Sequence, residues 1–400
     1  MKLSIIVPYD RYINYLYDCL ESISQQQIKD YETLLIISDE NQITDDLKKY
    51  DINLKIINAG IDANVAKKRN IGIDNATGDY LYFIDCDDYL MKDTLSLLLE
   101  KATNNDLDLV SGIRKFTWFK KKVFETMDDE KNDELDLKDK DHDRKNKFIN
   151  KVYDETNSSE YKTDILIRTR HGLRNISVLN ILIKTKLIKE NRIRFNEEFN
   201  YYSDAPFVVQ LLKYSNSFMY DENAIYVKRK HNDPINTPSL SQIKDPDNRF
   251  NEFIKAHNYC VSLVDENGYI RYYLDAKMVS YYIRFFAKKI RRSKNDLWRN
   301  ERFEIMTTVL KNIRPELLNK SSRFSRKLIE AGINGDIELA KKIVNRHLAK
   351  LKFKKILKNK NEMNKYLYRH KYINQPIEEN TIMFETFMGK SYADSPKYIY

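Results

Sequence analysis

The chain is poor in cysteine, has no long apolar run and shows no internal repeat. Each lack closes off a class of protein. Its three cysteines, Cys19, Cys86 and Cys260, are odd in number and stand in no C-x-x-C spacing. That excludes a disulfide framework and a structural zinc site, and a reducing, cytoplasmic setting is expected. The apolar stretch after Met1, Leu3-Ser4-Ile5-Ile6-Val7-Pro8, is too short for a signal-peptide core, and no later stretch approaches the ~18 apolar residues of a membrane span. The missing repeat excludes the common solenoids. What is present is ample for packed interiors: of 400 residues, 42% are hydrophobic and 12% aromatic, beside 32% charged. The length predicts two or three domains.

The net charge of +10 is unevenly spread. Residues 284–360 hold 23 Lys/Arg against 7 Asp/Glu, so the rest of the chain is acidic on balance. Such a segment suits a polyanion: nucleic acid, an anionic lipid surface or an anionic polymer. Within it and just before, Tyr281-Tyr282-Ile283-Arg284-Phe285-Phe286 and the lysines that follow pair aromatics with cations, as in helices that lie on anionic membranes. A helical bundle with a solvated basic face is the plain alternative.

The first hundred residues alternate between short apolar runs and helical spacing. Leu3 to Val7, Thr33 to Ile37, Leu54 to Ile57 and Tyr80 to Ile84 read as strands, with helices through Ile13 to Ile23 and Ala66 to Ile73. This predicts an α/β fold with a mostly parallel sheet covered on both faces, whose ligands sit beyond the carboxyl ends of the strands. Asp39 and Asp85-Cys86-Asp87-Asp88 fall at those ends. Residues 120–164 are crowded with charge and read as a solvated insertion. The pattern turns helical after about residue 250, and residues 381–390 read as a strand running into a glycine loop.

Three carboxylates at a strand end bring together hard oxygen ligands, which a divalent cation such as Mn²⁺ or Mg²⁺ would relieve of mutual repulsion. The bland reading is that Asp87 or Asp88 caps a helix starting near Met91. For Asp204, after Tyr201-Tyr202-Ser203, a helix cap is likewise the plain alternative, and for Lys67-Lys68-Arg69 a solvated helix face.

Taken in order and spacing, Ile5 to Pro8, Ile36 to Asp39, Asn58 to Asn70, Gly78 to Asp88 and Tyr202-Ser203-Asp204 resemble the inverting glycosyltransferases of family 2, with the Rossmann-like GT-A fold. The resemblance covers residues 1–245, and residues 246–375 read from their own pattern as a basic helical region. It implies a nucleotide-sugar site built from Pro8, Tyr9, Asp39, Asn64, Lys68, Arg69, Asp85 and Cys86, with Asp39 at the base and Asp85 near the ribose. Asp87 matches the metal ligand, with Asp85 and His231 as further candidates, and Asp204 matches the catalytic base. Pro8-Tyr9-Asp10-Arg11 lacks the family's usual asparagine, and Ser38-Asp39-Glu40-Asn41 loses one of its usual acidic pair. A catalytically reduced domain therefore stays open as a second reading.

Met383-Phe384-Glu385-Thr386-Phe387-Met388-Gly389-Lys390 through Asp394-Ser395-Pro396-Lys397-Tyr398-Ile399-Tyr400 resembles the opening of the CDP-glycerol glycerophosphotransferases, the teichoic acid polymerases of Gram-positive walls. Residues 381–400 hold only a first motif of that domain, so the chain is expected to be the N-terminal part of a longer protein. Together the resemblances imply a metal-dependent transferase taking a UDP-sugar to a teichoic acid or related anionic polymer, peripheral on the inner face of the membrane and not a nucleic-acid binder. The alternative is a membrane- or polymer-holding module for a glycerol- or ribitol-phosphate polymerase.

Overall fold

The computed structural model describes residues 2–118 and 176–358, except 44–46, 48, 49, 51, 232, 234 and 241, and in addition Asn364 and Leu367. The charged stretch 120–164 and the motif at 381–400 lie outside the described residues. The chain divides into two units, Met1–Gly335 and Asp336–Tyr400.

In the first unit the βαβ reading holds. Strands β1 (Leu3–Pro8), β2 (Tyr31–Ile37), β3 (Leu54–Asn58) and β4 (Tyr80–Phe83) run parallel in the order β3-β2-β1-β4, with Leu3 in register with both Tyr31 and Tyr80. The first two and β4 are buried almost throughout, which is why they appear in the sequence as largely apolar runs, broken only by Ser4, Glu32 and Thr33. Helices α1 (Ile13–Ser24) and α2 (Val65–Asn75) are the crossovers. Gly72 lets α2 lie tight on β1, since a Cβ there would come within 2.4 Å of the Ile6 side chain. The close approach carries Lys68 and Arg69, one turn earlier, over the strand ends.

Beyond β4 the sheet turns mixed. It continues through β7 (Ile181–Lys184), β6 (Leu109–Thr117), β8 (Phe218–Arg229) and, at the edge, β5 (Tyr89–Leu90). β7 is antiparallel to β4 and β6, while β6 and β8 are parallel, with a register shift between Gly112 and Ile113. The three extra residues on β8, Glu222 to Ala224, re-aim the second half of the pair. From it Arg114, Phe116, Tyr226 and Lys228 run toward the sheet's functional end. Helix α3 (Thr94–Asn104) starts later than the sequence suggests, with Asp93 at its N-cap position. The reading of Asp87 or Asp88 as the cap of a helix near Met91 is corrected: Tyr89–Leu90 is a strand, and Asp88 is turned into the sheet.

Two further helices, α4 (Thr185–Glu190) and α5 (Asp204–Tyr214), close the sheet domain. Then α6 (Pro246–Ser262), α7 (Tyr269–Lys288), α8 (Asp296–Lys311), α9 (Glu316–Lys320) and α10 (Arg323–Ile333) pack within the same unit. The Tyr281 to Phe286 aromatics do not form an open face. Tyr282 and Phe286 are fully buried, Tyr281 stacks on Phe253, and Phe285 stacks on Phe250. Amphipathic aromatic-and-basic spacing is shared by membrane-surface helices and by ordinary core helices, and here the rings are core. In the second unit α11 (Ile337–Lys358) alternates Lys/Arg with Leu348, Leu351, Phe353 and Leu357, all four exposed. No helix among the described residues is long and apolar enough to cross a membrane.

Candidate active site

The carboxyl ends of β1, β2 and β4 meet the end of β8 and the start of α5. On the β1 side, Pro8 is buried at the strand end, and the Tyr9 backbone N–H donates to Ile36 O at 2.8 Å. Burial, aided by Cys86 and Asp10, pushes the Tyr9 phenol up to about 12. Lys68 is buried, donates to Tyr9 O at 2.7 Å and lies 3.4 Å from Asp10 Oδ1. Desolvation lowers its proton affinity. Its ammonium thus ties β1 to α2, and the picture of Lys67 to Arg69 as a solvated face holds only for Lys67, which is exposed. Asn64 caps α2: its Oδ1 accepts from Lys67 N at 2.9 Å, and its Nδ2 donates to Glu197 O at 2.7 Å. Asp39 follows β2 and accepts from Asn41 N at 2.9 Å, which shapes the turn after the strand.

At the centre, Asp85, Asp87 and Asp88 each present an oxygen within 4.8 Å of the others. Arg69, almost fully buried, bridges two of the acidic positions named from the sequence. Its Nη2 donates to Asp85 Oδ1 at 2.8 Å and its Nη1 to Asp204 Oδ1 at 2.5 Å. The remaining Asp204 oxygen accepts from Val178 N at 3.1 Å. Asp204 is the first residue of α5, yet its carboxylate serves Arg69 and Val178 rather than its own helix, and Ser203 supplies no side-chain cap. This sets aside the plain alternative of Asp204 as a helix cap.

From β8, Lys228 reaches Asp85 Oδ2 at 3.3 Å and Asp88 Oδ2 at 3.5 Å. Tyr226 Oη donates to Asp88 Oδ2 at 2.6 Å and accepts from Asp85 N at 3.1 Å, and Arg229 N donates to Asp88 Oδ1 at 2.7 Å. Burial raises the Asp88 carboxyl to about 7, against the pull of Lys228 and with the push of its two acidic neighbours. Asp85 goes the other way: burial is outweighed by Lys228 and Arg69, so its carboxyl is held below the usual range. Cys86, between them, has its thiol pushed well up by burial and by Asp87 and Asp85.

Asp87 faces His231 instead. His231 Nε2 lies 2.9 Å from Asp87 Oδ2, and Nδ1 lies 2.7 Å from Thr237 O, which fixes the proton on Nδ1. Burial disfavours the charged ring, but Asp87 and the Thr237 carbonyl outweigh it and its proton affinity rises. The ring is seated against Tyr15 at 4.4 Å and edge-on to Tyr12 at 5.6 Å between centroids. Behind it Arg229 pairs with Asp18 at 2.6 Å and lies over the Tyr15 and Tyr89 rings.

The structure therefore brings Arg69, Asp85, Asp87, Asp88, Asp204 and His231 into one connected cluster, with Cys86 and Lys68 at its border. Asn64 and Asp39 are engaged in local turns and caps. Sequence reasoning missed Tyr226, Lys228 and Arg229. The run Lys228-Arg229-Lys230 directly before His231 was the available signal, a knot of cations at the end of a strand.

Residues 4–170 match the family model described as glycosyl transferase family 2. The whole chain aligns, at 29% identity, with 52% of the teichoic acid poly(glycerol phosphate) polymerase of Staphylococcus epidermidis. A further relative is the poly(ribitol-phosphate) beta-N-acetylglucosaminyltransferase TarS of Staphylococcus aureus, 30% identical over 101 residues, which are 24% of this chain and 18% of that protein. The chain thus spans about half the length of the first of these relatives. Among solved structures, S. aureus TarS 1–349 in complex with UDP-GlcNAc superposes with a TM-score of 0.63 over 87% of this chain and 92% of that one, at 16% identity. At that identity the likeness shows the fold, which is of the GT-A kind expected from the sequence.

Proposed function

We propose that this chain, a glycosyltransferase by its family 2 domain, transfers a sugar with inversion from a nucleotide-sugar, with UDP the expected nucleotide, to a teichoic acid or related anionic surface polymer. The observation that carries the reading is the Arg69 bridge, which ties Asp204 to Asp85 within the acidic cluster at the end of β4. Inversion asks for one carboxylate to take the proton of the attacking hydroxyl. Asp204 is assigned that task, its Oδ1 held by Arg69 so that the carboxylate keeps one orientation toward the cluster. TarS supports both the donor and the acceptor class, since it is named for poly(ribitol-phosphate) and its structure is a complex with UDP-GlcNAc.

The donor set fits a divalent cation. Three carboxylate oxygens converge, and the Nδ1 proton of His231 is fixed on Thr237, so that its Nε2 points to Asp87. Asp87 and His231 would hold Mn²⁺ or Mg²⁺, with Asp85 at the edge because both its oxygens are engaged by Arg69 and Lys228. When bound, the cation neutralises the departing diphosphate. Lys228 and Arg69 keep the remaining acidic charge from repelling that anion.

A second reading has support of its own. Alignment of the entire chain with part of a polymerase favours a role as the N-terminal region of such an enzyme, holding polymer or an anionic membrane surface through the basic residues of α11. Donor hydrolysis and transfer, screened over UDP-sugars with Mn²⁺, separate the two. Turnover that Asp87→Ala abolishes, together with Mn²⁺-dependent UDP binding, supports the transferase. Silence toward every donor, with retained polymer or vesicle binding, favours the holding module.

A further inference from the structure

The β6–β8 pair continues past the acidic cluster. In a parallel pair, residues in register point to one face and alternate residues share it. Phe116 is in register with Lys228 and Thr117 with Arg229, and Lys230 N donates to Thr117 O at 2.8 Å, so pairing persists one step further. Tyr226 and Lys228 touch Asp88 and Asp85, which makes theirs the face of the cluster. Lys230 and Trp118 carry that line outward by one more repeat, roughly 6–7 Å. Arg229, on the other face, is spent on Asp18, Tyr15 and Tyr89.

Lys230 differs from the cations before it. Its ammonium lies 5.3 Å from the Trp118 centroid and 5.7 Å from that of Phe116, both Lys230 and Trp118 are exposed, and among the described residues Lys230 forms no ion pair. An exposed ammonium held on two rings, with no carboxylate paired to it among the described residues, is complementary to an anion. The strip also lies on the opposite side of β4 from β1 and β2, whose ends carry Tyr9 and Asp39. A ligand leading away from the cluster along it would run on the flank opposite to those residues.

We infer that Lys230, Trp118 and Phe116 form a subsite for one repeat of a phosphodiester-linked polyol chain, the phosphate on Lys230 and the carbon backbone along the ring edges. The inference rests on the transferase reading and adds to it the place where the acceptor chain is gripped. A nucleic acid is the weaker fit, because Lys230 already covers the rings on which a base would stack.

The chain has two tryptophans, so Trp298→Phe leaves Trp118 as the only indole reporter. A synthetic glycerol phosphate hexamer titrated into that protein should change Trp118 emission. Lys230→Glu should weaken hexamer binding by ~10-fold or more, and wild-type calorimetry should give the same order of affinities. Maltohexaose and a dT6 oligonucleotide should bind at least ~10-fold more weakly than the hexamer. Unchanged hexamer affinity in Lys230→Glu, no response of Trp118 on binding, or equal affinity for dT6 would each overturn the subsite. UDP affinity with Mn²⁺, measured on the same samples, confirms that the variants fold. Donor turnover, assayed beside it, separates the two ideas: absence of any turnover with a hexamer response at Trp118 sinks the transferase reading alone, whereas turnover without that response sinks the subsite alone.

Discussion

At the strand ends and among the helices the chain buries the same kinds of group, with different neighbours. Asp275 in α7 is fully buried, and Arg271, one turn before it, donates from Nε to its Oδ1 at 2.9 Å, while Arg314 N donates to its Oδ2 at 3.0 Å. Asp88 is equally buried, but two more carboxylates stand beside it, and Tyr226, Lys228 and Arg229 come from about 140 residues away in the chain. One carboxylate with one guanidinium on the same helix ends as a neutral staple. Three carboxylates set against cations from separate elements keep their repulsion, which burial strengthens. A fold has no need of such crowding, and a ligand that brings positive charge relieves it.

The sharpest way to break this comparison is to alter one acidic member of each region. Asp204→Asn keeps an oxygen for Arg69, gives up the bond from Val178 N and cannot take a proton, so transfer should fall by ~10²–10⁴ while the folded protein keeps UDP affinity near wild type. Initial rates with a UDP-sugar and a polymer acceptor measure it, and unchanged turnover removes Asp204 from the chemistry. Asp275→Ala should do the opposite. It leaves Arg271 buried without its carboxylate, so unfolding in urea should show a loss of about 3–5 kcal/mol, while the folded fraction binds UDP as wild type does. A stable Asp275→Ala protein would mean that the helical pair is as dispensable as a surface one.

The difference between the regions also decides what could be read without a structure. Strands β1, β2 and β4 were legible because both faces are buried and each reads as a largely apolar run, and the edge strand β3, which is half-buried at most, through Ile56-Ile57. Asp85, Asp87, Asp204 and Arg69 were legible through their order along the chain. Lys228 and Tyr226 were not, because their partners lie in another element and no local spacing records a contact of such sequence separation. The cap offered as the plain alternative for Asp87 or Asp88 fails at Asp88 for the same reason: an aspartate shortly before a helix has the local signature of one, and only Tyr226 and Arg229 reveal otherwise. In the helices the failure was of another sort. Tyr281 to Phe286 gave the correct helix but the wrong surroundings, since amphipathic spacing states which face is apolar and not what covers it.

A smaller effect tests the helical region by pH. His257 in α6 has its proton affinity lowered, first by burial and then by the positive charge of Arg271, so its pKa falls from the ordinary 6.5 to about 4. Between those values the unfolded chain binds a proton that the folded chain does not. Stability from this group is complete above the unfolded value and is lost as pH falls from 6.5 toward 4, with a slope of at most about 1.4 kcal/mol per pH unit. His257→Gln should flatten that part of the profile in denaturant titrations at pH 4.5, 5.5 and 6.5. An unaltered slope would place the pH dependence elsewhere.

The smallest expected effect falls on the border between the two kinds of role. Asn64 was expected at the nucleotide, yet its side chain caps α2 and holds Glu197 O and Asn200 Oδ1 at 2.7 and 3.3 Å. Loss of an N-cap oxygen costs about 1 kcal/mol, and α2 carries Arg69, so the cap also steadies the bridge between Asp85 and Asp204. Asn64→Ala should lower stability by about that amount with UDP affinity within twofold of wild type, and Asn64→Ser, which restores a capping hydroxyl, should recover most of the loss. If UDP affinity falls more than tenfold in both variants while stability is unchanged, the amide is a nucleotide contact that leaves its cap on binding, and Asn64 belongs with the site rather than with the scaffold.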